Sequence, residues 1–475
     1  MLTWGAAYVA SEWVIRLVML FYVPQRRTPA AARAWLLMIF FLPWPGLVLY
    51  VIMGRAYLPR ARLEMQEAVS KLILDLQPRI LSYTMTQTPD LPPEFGPAVA
   101  LARHLADFAI CKGNRFELLS DYQGSIDHLI ADIDAATRHV HLMYYIFRDD
   151  DTGRRVAAAL TQAAARGVKC RVLGDGFGSW GPFRRSARAL RAARIEVMLL
   201  MPPRLWGPKA VRLDLRNHRK IAVIDGHVGY VGSQNIADPD ANKGLTNEEL
   251  VARVTGPVVR QLQAVFLADR YYEIESMPSE AQEELLPEVA EAGNALAQVL
   301  PSGPGYHREN TEQIMIALIH AARSTVVLTT PYFMPDDSFQ LALCMAAERG
   351  VDVHLIVSRE SNKPIVQLAQ QSNYDRLLDA GVKIHLYHGN FLHAKHSSID
   401  DCIAMIGSSN LDIRSFALNN EVSILIYDRE VVAELGVIQR RYLAQSEQVD
   451  AERWRKRGVG VRVLQNLARL ADSLI

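Results

Sequence analysis

Two copies of one short pattern carry the residues best suited to chemistry. His218, Lys220 and Asp225, and again His393, Lys395 and Asp400, spell H-x-K-x4-D. Seven residues beyond each aspartate comes G-S-x-N, as Gly232, Ser233 and Asn235 and as Gly407, Ser408 and Asn410. One H-x-K arises by accident in many chains; two in the same frame with the same extension do not. The residue types suit phosphodiester chemistry. One imidazole can attack phosphorus while another protonates the departing alkoxide, and an ammonium neutralises the non-bridging oxygens. Such a site needs no metal and no other cofactor. Ser233, Asn235, Ser408 and Asn410 are expected to offer the phosphate further polar groups.

An attacking imidazole must be neutral at one nitrogen and held by an acceptor at the other. Acidic residues follow each motif at similar distance, Glu248 and Glu249 after the first and Glu421 after the second. The expected orienters are therefore Glu249, or its neighbour Glu248, for His218 and Glu421 for His393, each from its own copy. Asp225 and Asp400 belong to the motif frame; their place at strand ends points to a structural, salt-bridging role rather than proton transfer.

The elements that must position these groups also occur twice. A helical segment (126–138) leads into a β-rich run (139–147), a helix ending at Arg166-Gly167-Val168 and the strand-like 169–175. The second copy runs 311–323, 324–334, a helix ending at Arg349-Gly350-Val351, and 352–358. Each then has another helix–strand pair before its H-x-K. Helical periodicity alternating with short β-branched runs predicts βαβ units. The expected fold is α/β: two duplicated α/β/α halves with a central mixed, largely parallel sheet, meeting about a pseudo-two-fold axis so that both His–Lys pairs share one site. The halves are placed at 106–293 and 294–450, with the low-charge, proline-containing stretch near 294–305 as their seam.

The 475 residues carry a formal charge of +1, which argues against an electrostatic nucleic-acid binder. Cys111, Cys170, Cys344 and Cys402 are scattered without a C-x-x-C, so free thiols in a reducing compartment are expected. Residues 2–23 are apolar apart from Glu12 and Arg16, and residues 35–54 carry no charge. A span needs about 20 mostly apolar residues, so 1–58 reads as a two-helix membrane hairpin. Glu12 and Arg16, four apart, would pair on one helix face. Arg26, Arg27 and Arg33 in the connection nearly balance Arg55, Arg60, Arg62 and Lys71 beyond it, and the missing disulfides tilt the main domain to the cytoplasm. Residues 59–105 form a connecting segment, helical over 60–80 and then proline-rich. A loop at 201–213 holds Trp206 among basic residues, either reaching the membrane interface or solvated. The tail, 451–475, reads as a basic amphipathic helix, with Val461, Leu464, Leu467, Ala468 and Ala471 on one side. It either lies on an anionic membrane or packs on the body.

The doubled H-x-K-x4-D with G-S-x-N resembles the phospholipase D superfamily and, more closely, bacterial cardiolipin synthases. The resemblance rests on the N-terminal hairpin, 217–225, 391–401, 407–428 and the basic tail, and covers nearly the whole chain. One departure is Gly232-Ser233, where those enzymes often have Gly-Gly. The resemblance implies a multi-pass protein of the bacterial inner membrane that joins two phosphatidylglycerols into cardiolipin and glycerol through a phosphatidyl-histidine. Its partners would be phospholipid and membrane rather than nucleic acid; the oligomeric state stays open. The alternatives are a hydrolytic phospholipase D that uses water as second nucleophile, a phosphodiester nuclease, and a non-catalytic membrane scaffold. Membrane spans and near-neutral charge count against the nuclease, and two intact motifs count against the scaffold.

Overall fold

The structure is a computed structural model that describes residues 4–27, 29–54, 63–71, 87–179, 181, 183–203, 214–241, 245–276, 280, 282–306 and 309–472. The loop around Trp206 and most of the expected helix over 60–80 lie outside the described residues, although 63–71 are helical.

The duplication is visible in the strand order. The first half orders its strands 111–119, 251–255, 228–232, 220–224, 139–144, 169–175 and 196–200. The second repeats this as 295–302, 421–427, 403–407, 396–399, 325–329, 352–358 and 383–387, then adds 446–448 at its edge. The halves join where Cys111–Leu119 pairs antiparallel with Ala295–Ser302. The seam expected near 294–305 is thus a central strand rather than a loose linker. The largest hydrophobic cluster draws Ile221, Val231 and Ala252 from one half and Ala404, Ile406 and Val422 from the other, so the two halves share a core.

The sheet is mixed, as expected, but parallel pairing is confined to the outer strands of each half. The inner strands are antiparallel. This corrects the expectation of a largely parallel sheet, and the physical reason is loop length. Helices cross over between the outer strands, whereas 220–224/228–232 and 396–399/403–407 are hairpins whose short turns allow only antiparallel pairing.

Each hairpin turn begins at the aspartate of the motif. Asp225 and Asp400 stand at φ of 53° and 49°. Asp225 accepts from the backbone N–H of Thr137, Arg138 and His139 at 2.8 Å each, and from the Thr137 hydroxyl. Asp400 does the same with Arg323, Ser324 and Thr325. These bonds hold both carboxyls below the usual aspartate range despite partial burial. The structural role expected of both residues is realised, but by capping amides rather than by salt bridges. Each lies at the far end of its strand from the histidine, about 3.3 Å per residue away, and so outside the chemistry.

The N-terminal apolar region forms three helices, Trp4–Tyr22, Pro29–Phe41 and Pro43–Met53. Only the first is both long and apolar enough to cross a membrane among the described residues. The second expected span is broken at Leu42 (φ −131°, ψ 75°), because Pro43 offers no N–H and pushes the preceding residue out of helical geometry. The three helices bury Ile15, Met19, Trp35, Ile39 and Tyr50 against one another. Arg16 lies 3.5 Å from Glu12 and donates to the Phe40 carbonyl at 3.1 Å, so the two charges of this helix are held toward the neighbouring helices. All four cysteines are free and buried.

Because Asp225 and Asp400 fasten strands and do not meet the cleft, Asp225→Ala and Asp400→Ala are each expected to lower unfolding stability by about 1–3 kcal/mol. Turnover per folded molecule should stay near that of the parent. Denaturation monitored alongside activity corrected for folded fraction checks this; a full loss of turnover in a stably folded variant contradicts it.

Candidate active site

Both histidines open into one cleft of about 520 Å³. Its walls include Tyr145, Arg148, Arg216, Asn235 and Asp238 from the first half, and Tyr332, Lys363, Asn410, Asp412 and Arg414 from the second. The shared site expected from the duplicated motifs is therefore assembled by the fold.

The assembly depends on two short parallel pairings that cross between the halves. Asn217 bridges Asn420, with His218 N–H donating to the Asn420 carbonyl at 2.8 Å and Asn420 N–H to the Arg216 carbonyl at 2.9 Å. Phe391 and Leu392 pair with Asn247 and Glu248, and His393 N–H donates to the Glu248 carbonyl at 2.8 Å. In a parallel pairing, side chains in register lie on the same face. Registers 217↔420 and 392↔248 thus set His218 beside Glu421 and His393 beside Glu249. His218 Nδ1 stands 3.0 Å from the Glu421 carboxylate, and His393 Nδ1 stands 2.7 Å from Glu249. Glu249 and Glu421 each meet an imidazole, but across the copies rather than within one copy as expected: each belongs to the opposite half from its histidine. With Nδ1–H donated to a carboxylate, Nε2 is the nitrogen left for chemistry in both rings.

The G-S-x-N segments hold the glutamates in place. At Gly232 and at Gly407 an added Cβ would come within 2.3 Å of the Leu250 carbonyl oxygen and 2.4 Å of the Val422 carbonyl oxygen, so only glycine lets these strands approach the glutamate-bearing strands. The Ser233 hydroxyl accepts from Leu250 N–H at 3.0 Å; Ser408 accepts from Val422 N–H at 3.0 Å and donates to Glu421 at 2.5 Å. Both serines are fully buried, which corrects the expectation that they face phosphate. Asn235 and Asn410 do line the cleft, and Asn235 Oδ1 accepts from Ile146 N–H at 3.1 Å.

Burial governs the electrostatics. It brings the His218 and His393 pKa values down to about 4, against the opposing pull of their glutamates, so both imidazoles are neutral at pH 7. Glu249 lies at about 2: burial opposes ionisation, but His393 and Lys395 outweigh it, and Glu421 is lowered in the same way by His218 and Lys220. Lys220 and Lys395 each donate to the carbonyl of their own motif histidine at 2.6 Å. Burial, together with their proximity to other cations, draws them down to about 7 and about 8. A bound anion reverses that pressure by favouring the ammonium forms.

Several cleft residues escaped the sequence reading. Tyr145 sets its ring 4.6 Å from that of His218, and Arg216, Lys363 and Arg414 bring further positive charge to the walls. Arg216 sits two residues before His218, which was a usable signal; Tyr145 lies near the end of the β-rich run 139–147, and Lys363 in an unmarked loop. No cluster of three or more His, Cys, Asp or Glu that could hold a metal occurs among the described residues.

This geometry agrees with what the chain resembles. Residues 129–270 and 315–443 match the family model described as "Cardiolipin synthase, PLD-like domain". The chain belongs to the cardiolipin synthase family. It is 35% identical over 465 residues to cardiolipin synthase A of Yersinia pseudotuberculosis serotype O:1b, covering 95% of this chain and 94% of that one. The cardiolipin synthase A of Yersinia pestis matches to the same extent. Among solved structures, the phosphatidylserine synthase of Haemophilus influenzae Rd KW20 superposes with a TM-score of 0.58 at 15% identity, over 76% of this chain and 94% of that one, which supports the shared fold. Family membership makes the chain a phospholipid-transferring enzyme, and with the apolar N-terminal helix it indicates membrane association.

Because the two lysines titrate near neutrality, affinity for a simple phosphate analogue such as tungstate is expected to fall as pH rises through about 7 to 8, where ammonium is lost. Competitive inhibition constants measured from pH 6 to 9 test this; a constant affinity across that range would show that the lysines stay charged.

Proposed function

We propose that the chain joins two phosphatidylglycerols into cardiolipin and glycerol by two displacements at one phosphorus. The observation that carries the proposal is the pair of crossed His–Glu contacts, which leaves two Nε2 atoms open to one cleft. In the first step His218 Nε2 attacks phosphorus and the bond to the departing glycerol oxygen breaks. His393 gives that oxygen a proton. In the second step the terminal hydroxyl of another phosphatidylglycerol attacks phosphorus and passes its proton to His393. The phosphorus–nitrogen bond breaks and cardiolipin leaves. Lys220 and Lys395, with the amides of Asn235 and Asn410, offset charge on the non-bridging oxygens.

Two differences between the copies support these roles. The His393–Glu249 contact is shorter than His218–Glu421, 2.7 Å against 3.0 Å. Glu421 also accepts from two hydroxyls, Ser408 at 2.5 Å and Ser415 at 3.0 Å, against one longer bond to Glu249 from the Asn247 amide at 3.2 Å, so more of its charge is drawn away from its histidine. Glu249 is therefore the better partner for an imidazolium, suited to an acid, and His218 is left as the neutral nucleophile. A cleft of about 520 Å³ lined by arginine, lysine and asparagine fits phosphoglycerol headgroups and leaves acyl chains outside. The same reading places the N-terminal helices across the bacterial inner membrane as a multi-pass anchor, with the catalytic halves on the cytoplasmic side.

Purified enzyme given phosphatidylglycerol alone is expected to yield cardiolipin and glycerol in equal amounts by lipid mass spectrometry; phosphatidic acid alone would refute the transfer. His218→Ala and His393→Ala should each lower turnover by about 10³-fold or more, and the double variant should be no worse, because the two act as a unit. Acid-quenched enzyme should carry its lipid phosphate on the peptide containing His218, whereas an adduct at His393 reverses the roles.

With charge neutralisation assigned to lysine and asparagine, EDTA is expected to leave turnover largely intact. A complete loss restored by zinc or magnesium would refute that assignment.

A further inference from the structure

The C-terminal helix Val459–Asp472 is mounted with its apolar side outward. Val459, Val463, Leu464, Leu467 and Leu470 are 67%, 49%, 56%, 57% and 65% exposed, while Gln465 is buried at 1%. A surface helix of a soluble domain shows the reverse order, with its apolar stripe toward the core. The orientation is fixed by polar contacts. Gln465 donates to Gln371 at 3.0 Å and accepts from Arg457 at 2.8 Å. Arg457 pairs with Asp375 at 2.6 Å, and Trp454 lies against Tyr374 with ring centroids 5.3 Å apart. Of the two arrangements open to the tail, body packing is thus made by the polar edge, and the apolar face stays uncovered.

The place of the helix matters. It rests on the Pro364–Gln371 helix. The same short helix contributes Val366, and Lys363 just before it, to the wall of the catalytic cleft, and it exposes Ile365 at 66%. Between Arg453 and Ala471 the sequence holds Arg453, Arg455, Lys456, Arg457, Arg462 and Arg469 and no acidic residue; Arg455, Arg457 and Arg469 pair with Asp379, Asp375 and Asp337 of the body, so the charge of Arg453, Lys456 and Arg462 is in excess. A second copy of the chain meeting this face about a two-fold axis would bring two such basic runs together and repel. An apolar face edged by arginine fits one occupant, a bilayer surface with anionic headgroups.

We propose that Val459–Asp472 is a second, interfacial membrane contact, which seats the rim of the cleft on an anionic bilayer independently of the N-terminal helices. The proposal goes beyond the reaction assigned above and does not depend on it, because its main readout needs no turnover.

All four native cysteines are buried, so single cysteines at Val463 and Leu467, with Thr161 as an exposed control, can be spin-labelled in the full chain. The chain is reconstituted in nanodiscs of phosphatidylglycerol with phosphatidylcholine, and in nanodiscs of phosphatidylcholine alone. The expected result is high oxygen and low nickel-chelate accessibility at 463 and 467 in the anionic discs, weaker in the neutral discs, and the reverse at 161. Labels at 463 and 467 equally open to nickel in both discs would overturn the proposal. So would spin–spin broadening that persists in detergent, which would mean that another copy covers the face. A Val463→Asp/Leu467→Asp variant should keep its turnover on short-chain, water-soluble phosphatidylglycerol and lose about tenfold on bilayer substrate. Equal turnover on both substrates relative to the parent would also overturn it.

Discussion

Everything at the site hangs on the two parallel bridges that exchange segments between the halves. A register of one residue decides them: Asn217 opposite Asn420 and Leu392 opposite Glu248 place each histidine against the glutamate of the other copy. Slipping either pairing by one residue would turn the glutamate to the opposite face. The shared core and the Cys111–Leu119/Ala295–Ser302 joint make such a slip costly, because buried apolar side chains from both halves would have to move with it. Neither half alone holds an oriented histidine, so integrity of the joint and integrity of the chemistry are one requirement.

The charge balance of the site follows from its burial. Two carboxylates are met by two lysines that titrate near neutrality while both imidazoles stay neutral, so the empty site can exist in low dielectric without a large uncompensated charge. A phosphodiester brings one negative charge into this balance. The cheapest response is to hold both lysines protonated and to let one imidazole gain a proton, which is the state that general acid catalysis needs. Under the proposed roles that histidine is His393, because Glu421 meets the hydroxyls of Ser408 and Ser415 whereas Glu249 accepts only the longer amide bond from Asn247 beside its imidazole.

Much of this was legible in the sequence, for reasons that mark its limits. Repeated helix–strand patterns located the two halves, and the doubled motif located the histidines, because duplication makes chance an unlikely source. The crossing was not legible. Glu249 follows His218 and Glu421 follows His393 at similar spacing, so chain order favours pairing within each copy, and only strand register reveals the exchange. The serines of G-S-x-N looked like phosphate ligands because their hydroxyls are chemically able; their burial behind Gly232 and Gly407 is a tertiary fact. The break at Leu42–Pro43 was readable from proline's missing N–H, but uniform apolarity over 35–54 masked it. Sheet direction failed where local hairpin turns, rather than helical crossovers, set the pairing.

The middle residue of each H-x-K shows how far the copies have diverged. Arg219 is fully buried; it donates to the Glu421 carbonyl at 2.9 Å and pairs with Asp269, which also accepts from Asn217 at 2.6 Å. Its counterpart, Ala394, simply joins the shared hydrophobic cluster. The crossing segment of the first copy is therefore pinned by a buried ion pair that links His218, Asn217 and the Glu421 strand, and that of the second by packing. A buried pair contributes little net stability against an apolar substitute, but it fixes geometry, since breaking it leaves an unpaired charge in the core. A histidine that must hold a covalent phosphorus through two displacements needs a fixed ring. One that only shuttles a proton tolerates small motion. The ion pair stands behind His218, which places the rigid support with the residue assigned the covalent step.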